Sequence, residues 1–380
     1  MEILKYSPEH KDFRRRFREF CENEIIPQAD NWEAAHIVPK EIWRKMGQGG
    51  FLCPCVAPEY GGMGGDFLYS LIVSEEISKT AQTGLAAGLH ADIVVPYIES
   101  YASEELKLKY LPGCVSGAIV TALAMTEPGA GSDVAGMETT AVEDGDTVVI
   151  NGSKTFISNG INCDLLVIAA KDPSVANKHQ AVSLYVVEAG TPGFKKGTQL
   201  KKMGWHSQDT AELFFSNCRI PVKNRLGQKG EGFFLLMGKL QQERLVCAVG
   251  GVLAAERILE YTLDYCRKTE VGGRPLTKSQ ATQFALVEMT TETKLGRTFL
   301  DKLIADHMEG LNIIVETSMA KYWCTDLAKR LADRALDLIG DYAMLEACPM
   351  ARAFRDARVM SIFAGTNEVM KGIAAKFMGL

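Results

Sequence analysis

The chain has 380 residues, 47% of them hydrophobic and 23% charged, and a net charge of −5. That length exceeds what one ordinary core needs and suggests two or three subdomains. Acidic and basic residues are interspersed, so no dense cationic run offers the footprint of a nucleic-acid or membrane-surface binder, and no apolar stretch approaches membrane-spanning length.

The first residues, MEILKYSPEHKDFRRRF, are charged from the outset and lack the apolar segment and cleavage site of a secretory signal, so a cytosolic location is expected. The ten cysteines are scattered, with Cys53 and Cys55 the only close pair and no CxxC, and most read as small, reduced core residues. His10, His36, His90, His179, His206 and His307 are equally dispersed, and no metal site is expected.

From Pro8 to about Ser116 apolar residues recur at three and four, as in Phe13, Phe17, Phe20 and Ile25 and again in Leu68, Leu71, Ile72 and Ile77, which predicts helices. The Gly- and Pro-rich segment VAPEYGGMGGD interrupts them. Between Ala118 and Leu226 the pattern turns to β-branched, alternating segments: DTVVI, KTFIS, DLLVIAA, AVSLYVV and ELFFSN. Turn signals at Asp144-Gly145, Asn151-Gly152 and Asn159-Gly160 divide them, which predicts an antiparallel β domain. After Gly232 the helical period returns, with Ala320, Trp323, Leu327, Leu331, Ala335 and Leu338 on one face, and long helices with short connections predict a bundle. The α+β chain thus divides into segments 1–117, 118–227 and 228–380.

The segment AMTEPGAGSD, 124–133, stands at the entry to the β domain. Small residues after a proline let the backbone approach a ligand closely, and Thr126 and Ser132 add hydroxyls; read alone, the segment is equally a Gly-rich turn. Together with KTFISNG at 154–160 and RDARVMSIFAGTNEV at 355–369, it resembles the acyl-CoA dehydrogenase family, and the likeness covers nearly the whole chain in order. The resemblance implies a flavoprotein with an N-terminal α-helical domain, a middle antiparallel β-barrel-like domain and a C-terminal four-helix bundle, assembled as a homotetramer. It implies that Met125, Thr126, Gly131, Ser132, Phe156 and Ser158 hold the FAD isoalloxazine and that Thr366 and Glu368 contact the cofactor from the C-terminal domain. Donors at the flavin edge that gathers charge on reduction make it a better acceptor.

The family's reaction, α,β-dehydrogenation of an acyl-CoA thioester, needs a carboxylate to take the α-proton. Many members carry it directly before the Gly-Thr of the C-terminal motif, where this chain has Ala364. Either catalysis is lost or the carboxylate arrives from another element. In GKLQQERLVCAVGG, 238–251, Glu243 precedes Arg244. The long-chain and isovaleryl members place their base at that position and lack the C-terminal glutamate, so the resemblance makes Glu243 the expected base rather than a solvated helix residue. Lying against acyl chain and flavin, it should be desolvated and its pKa raised. Arg244 is implied to serve the CoA portion, with a surface ion pair as the alternative. The resemblance also implies that the backbone N–H of Ala364 holds the thioester oxygen with a ribityl hydroxyl of FAD, so the side-chain change leaves that donor in place. Ser132 and Gly365 are carried over as further substrate contacts.

A second carboxylate is Asp92 in GLHADIVVPY. An aspartate in this loop is the base in a subgroup acting on cyclic acyl-CoAs; a helix-end cap is the favoured reading here, and an alicyclic substrate stays open. Leu89, Val94, Tyr97, Leu240 and Leu245 are candidates for lining the acyl pocket, although core packing is the commoner role.

The arginine and phenylalanine with which the family reaches the FAD pyrophosphate and adenine side from a neighbouring subunit fall here on Thr269 and Gly272, within CRKTEVGGRPL. Gln280 is retained, whereas a glutamine before the family's Gly-Gly turn is Asp337 and the turn itself is Gly340-Asp341. Arg267, Lys268 or Arg274 could compensate, or a paralogous chain could supply the missing groups in a heteromer. The expected activity is that of an FAD-dependent acyl-CoA dehydrogenase that forms a trans-2-enoyl-CoA and hands its electrons to an electron-transferring flavoprotein. A flavin oxidase and a non-catalytic subunit are the alternatives.

Overall fold

The computed structural model describes residues 3–380. Helix α1 (Pro8–Phe20) opens on a capping box in which Ser7 Oγ accepts from the His10 N–H and His10 Nδ1 accepts from the Ser7 N–H, and it buries Phe13 and Phe17. Helices α2 (Ala29–Ala35) and α3 (Lys40–Gln48) follow, the latter burying Ile42, Trp43 and Met46. The predicted break at 56–66 ends on Asp66, whose carboxylate caps α4 (Phe67–Lys79) by accepting from the Leu68 N–H at 3.0 Å. A wide π-helical turn, Leu89–Val94, then runs into α5 (Val95–Tyr101), and α6 (Glu104–Val115) closes the helical part.

Eight strands form the next layer: β1 (Thr121–Ala124), β2 (Thr140–Asp144), β3 (Thr147–Ser158), β4 (Leu165–Lys171), β5 (Val182–Glu188), β6 (Phe194–Gln199), β7 (Thr210–Pro221) and β8 (Arg225–Leu226), with the short α7 (Lys178–Ala181) before β5. Their order is β6-β7-β3-β2-β4-β5-β8, with β1 beside β4. The sheet is not antiparallel throughout: β1 and β2 both run parallel to β4. The hairpin β2–β3 reverses the chain and the turn at Asn159 reverses it again, so β4 returns in the direction of β2. Asn151-Gly152 is likewise not a turn. It lies inside β3 at a register slip, where Gly152 has φ 145° and an added Cβ would stand 2.5 Å from Thr139 Oγ1; the glycine marks a bulge rather than a strand end. The unbroken apolar run of β4 is explained by two-sided burial. Leu165, Val167 and Ala169 face the helices of the N-terminal part, and Leu166, Ile168 and Ala170 face the sheet's own core.

The 37-residue α8 (Gly232–Lys268) leads into a small hairpin of β9 (Glu270–Val271) and β10 (Arg274–Pro275), then α9 (Gln280–Met308), α10 (Ile314–Ile339), α11 (Pro349–Met360) and α12 (Asn367–Phe377). On α10 the predicted face is buried at Ala320, Leu327, Leu331 and Ala335, with Trp323 and Leu338 at its margin. Three long helices form the bundle, and both α11 and α12 pack on α10. Helices α8 and α10 meet closely at Gly251, where a Cβ would lie 2.8 Å from the Cys324 backbone. Gly251→Ala should therefore force the helices apart and cost about 1–3 kcal/mol despite alanine's better helix propensity; a lowered midpoint in chemical denaturation is the expected outcome.

Candidate functional site

Glu243 and Arg244 sit on α8, and both are buried at 3% exposure. Tyr97, fully buried on α5, donates its hydroxyl to Glu243 Oε1 at 2.5 Å. Burial pushes the Glu243 carboxyl up to about 7, against the opposing pull of Tyr97, Arg244 and Lys239. This carboxyl can hold or release a proton near neutrality. Arg244 Nη1 donates to Ser318 Oγ on α10 at 3.2 Å, while its Nε is buried without a partner. Arg244 is thus not a surface ion pair, and burial lowers its pKa.

The turn between α11 and α12 carries Ala364 and Gly365, both in left-handed backbone conformations at φ 51° and 88°. Thr366 caps α12, accepting from the Val369 N–H at 3.3 Å, and Glu368 lies exposed in its first turn. Beneath the turn, Lys321 Nζ donates to the Gly365 carbonyl at 2.7 Å and to Asn367 Oδ1 at 3.1 Å. The sheet's 203–208 loop docks here: Trp205 N–H donates to Asp356 Oδ1, and the Trp205 ring meets Phe363 edge-on at 5.4 Å.

The loop after β1 is held from behind by a buried ion pair. Lys154 Nζ reaches Glu127 Oε1 at 2.7 Å and the Met125 carbonyl at 3.1 Å, and Glu127 accepts from the N–H groups of Glu138 and Thr139. Burial lowers Lys154 to about 8 while Glu127 opposes it. Thr155 N–H donates to the Thr126 carbonyl at 2.9 Å and ties the loop to β3. One residue on, at a second bulge, Phe156 has φ 56° and is 67% exposed, with Ser158 closing the strand opposite Thr210. The N–H groups of Gly131 and Ser132 have no partner among the described residues, both residues are exposed, and open space stands beside Gly129 and Gly131. Free backbone donors next to a displayed aromatic ring fit a planar heteroaromatic group with a polar edge, and a flavin is such a group. The Leu89–Val94 turn packs on both β1 and α8, and so joins this loop's strand to the helix of Glu243.

The structure departs from the cap expected at Asp92. Its carboxylate lies inside the π-helical turn, buried, and accepts the Ser70 hydroxyl at 2.6 Å rather than a helix-end N–H. Burial pushes it up to about 7, and it lines a 220 Å³ cavity with Cys55, Phe67, Glu99, Lys239 and Gln242. Gln280, Asp337 and Gly340 are exposed, as is Gly272, with Thr269 half-buried. Thr269 follows α8, 26 residues after Glu243, or about 39 Å at 1.5 Å per residue. Within one chain Thr269 does not join Glu243. Of the cations around the hairpin, Lys268 is paired with Asp264 at 2.7 Å. Val94 and Leu245 are core residues, whereas Tyr97, read only as a possible pocket wall, bonds to Glu243. Sequence reasoning passed over Lys321 and the pair Glu127–Lys154; a lysine within the apolar face of α10 was the available signal for the first.

Among the described residues no helix is long and apolar enough to cross a membrane, and no cluster of His, Cys, Asp and Glu could hold a metal ion. Family models for the N-terminal, middle and C-terminal domains of acyl-CoA dehydrogenase match residues 7–118, 122–218 and 230–379. The mitochondrial long-chain specific acyl-CoA dehydrogenase of Sus scrofa is 40% identical over 372 residues, covering 98% of this chain and 86% of that protein. The crystal structure of an acyl-CoA dehydrogenase from Geobacillus kaustophilus is 50% identical with a TM-score of 0.97 over 99% of each chain. The FAD complex of PigA is 26% identical with a TM-score of 0.92, again over 99% of each chain.

Two tests follow from this geometry. Lys154→Met leaves Glu127 buried without its partner and should cost about 3–5 kcal/mol, part of which returns in the double variant with Glu127→Gln; denaturation midpoints measure both. Asp92 and Glu243 each hold a folded-state pKa raised to about 7. The folded chain therefore binds more protons than the unfolded chain between roughly pH 4 and 7, and these carboxyls lower stability as pH rises through that window. The stability of Asp92→Asn or Glu243→Gln relative to the parent should accordingly increase from pH 5 to pH 8, by at least about 1 kcal/mol, in paired urea titrations.

Proposed function

Because the chain belongs to the acyl-CoA dehydrogenase family, FAD-dependent oxidoreductases acting on acyl-CoA, we propose that it converts an acyl-CoA thioester to the trans-2-enoyl-CoA with Glu243 as the base. The observation that carries this reading is the buried carboxyl of Glu243, poised near neutrality by burial and held by Tyr97, in a chain whose C-terminal motif offers only Ala364. Bound FAD supplies the two-electron acceptor. Glu243 takes the α-proton, and Tyr97 orients the carboxyl and limits its second oxygen to the substrate side. The N–H of Ala364, a residue of left-handed backbone, donates to the thioester oxygen. Arg244, buried with an unpartnered Nε, serves the CoA portion. Met125, Thr126, Gly131, Ser132, Phe156 and Ser158 form the flavin face, with Thr366 and Glu368 opposite.

Electrons pass on to an electron-transferring flavoprotein. A homotetramer is supported by the solvent face of α9, where Phe284, Val287 and Leu295 are 59%, 63% and 59% exposed. In such an assembly Thr269, Gly272, Gln280, Asp337 and Gly340 meet the FAD of a neighbouring subunit, a reading supported by the distance of Thr269 from Glu243 along α8. A second reading, an alicyclic acyl-CoA with Asp92 as base, is favoured by one observation: Asp92 is as buried and as poised as Glu243.

Anaerobic flavin bleaching over straight, branched and cyclic acyl-CoAs tests both. Glu243→Gln should lower the bleaching rate roughly 10²–10⁴-fold, with the parent's rate rising through about pH 7 as Glu243 ionises. Full activity in Glu243→Gln, with loss in Asp92→Asn, would hand the chemistry to Asp92.

A further inference from the structure

Three lysine and arginine side chains are buried among the described residues: Lys154, Arg244 and Lys321. Lys154 is paired with Glu127, whereas Arg244 and Lys321 have no carboxylate within 4 Å. Lys321 is the more extreme, fully buried on α10 and held only by neutral oxygens, the Gly365 carbonyl and Asn367 Oδ1. Asn367 is itself fixed by donating to the Tyr322 carbonyl and to Thr325 Oγ1, both at 3.1 Å. The ammonium therefore stands rigidly beneath the turn that carries Ala364. One turn earlier on α10, Ser318 receives Arg244, so both unpaired cations belong to the same α8–α10 seam.

A cation taken out of water without a counter-charge is destabilising. Stapling the Gly365 carbonyl needs only a neutral donor, so the positive charge is in excess of what the fold requires. An excess charge fixed in a low-dielectric site is, however, what stabilises an anion that forms there. We propose that Lys321 is a positioning residue of the acyl site, whose ammonium sets the 364–366 turn and supplies the counter-charge for the bound acyl thioester once its α-proton has left. This rests on Glu243 as the proton's destination. The titratable groups that act on Lys321 are Cys247 on α8, Asp326 on α10 and Glu368 on α12, and Glu243 and Arg244 lie one turn from Cys247 on α8.

The test uses the FAD-loaded enzyme and a 3-thiaacyl-CoA, an analogue with an acidified α-carbon whose ionisation is followed by visible absorbance across pH. Lys321→Gln keeps a donor and removes the charge; Asn367→Asp keeps the ammonium and pairs it. Each should raise the bound analogue's pKa by about 1 unit, tenfold in its ionisation constant, and lower kcat about tenfold with a smaller change in KM. Lys321→Arg should recover part of the shift. An analogue pKa unmoved in Asn367→Asp and in Lys321→Gln overturns the proposal and leaves Lys321 a staple. If Lys321→Gln fails to fold, Asn367→Asp decides alone. A parent enzyme that neither ionises the analogue nor bleaches with any acyl-CoA overturns the underlying reading instead.

Discussion

Removing charge from water is the constraint around which the C-terminal helices of this molecule are arranged. On α8 and α10 one carboxyl and two cations, Glu243, Arg244 and Lys321, are buried without forming a salt bridge. Each is met by a single neutral group or a pair of them from another element: Tyr97 from α5, Ser318 from α10, and the 365–367 backbone and amide from the C-terminal turn. Those contacts fix where the elements sit. They also leave the charges poised, because neutral partners hold a side chain in place without cancelling its field.

The loop at 124–133 shows the opposite solution. There the buried charges cancel, Lys154 against Glu127, which backs a loop whose Gly131 and Ser132 are exposed and keep their N–H groups without a partner among the described residues. Such backing is what the loop needs if it is to hold the cofactor as proposed, since a donor fixed beforehand costs no ordering when a ligand arrives. The exposed Phe156, held at φ 56° beside that platform, is the kind of local strain that a surrounding fold maintains at a binding surface.

Much of this was legible in the sequence. The change from a period of 3.6 to a period of 2 and back located the helices and strands, because burial of one face dictates each pattern. Glu243 stood out because the C-terminal motif has Ala364 where a carboxylate would be expected, and its burial against Tyr97 is what the structure adds. Asn151-Gly152 misled because the same dipeptide serves a hairpin and a bulge, and only the close approach of Thr139 decides between them. The parallel contacts of β4 were hidden, since they join residues distant in sequence, as Thr121 with Leu165 and Thr140 with Lys171. The partners of Tyr97 and Lys321 were hidden for the same reason, lying 146 and 44 positions away, although a lysine in the apolar face of α10 marks Lys321 itself as unusual. Asp92 was misassigned because an acidic residue near a helix start has two common fates, and the π-helical turn turned it inward to Ser70.

The single helix α8 has one more consequence. It carries Glu243 near one end and delivers the hairpin at Thr269 from the other, without a break across 37 residues. Adding or deleting one residue between them would swing the hairpin through about 100° around the axis and shift it about 1.5 Å along it. A change of length within this stretch would therefore displace the hairpin relative to Glu243, whereas one at the hairpin tip or in the surface connections would move neither end of the ruler.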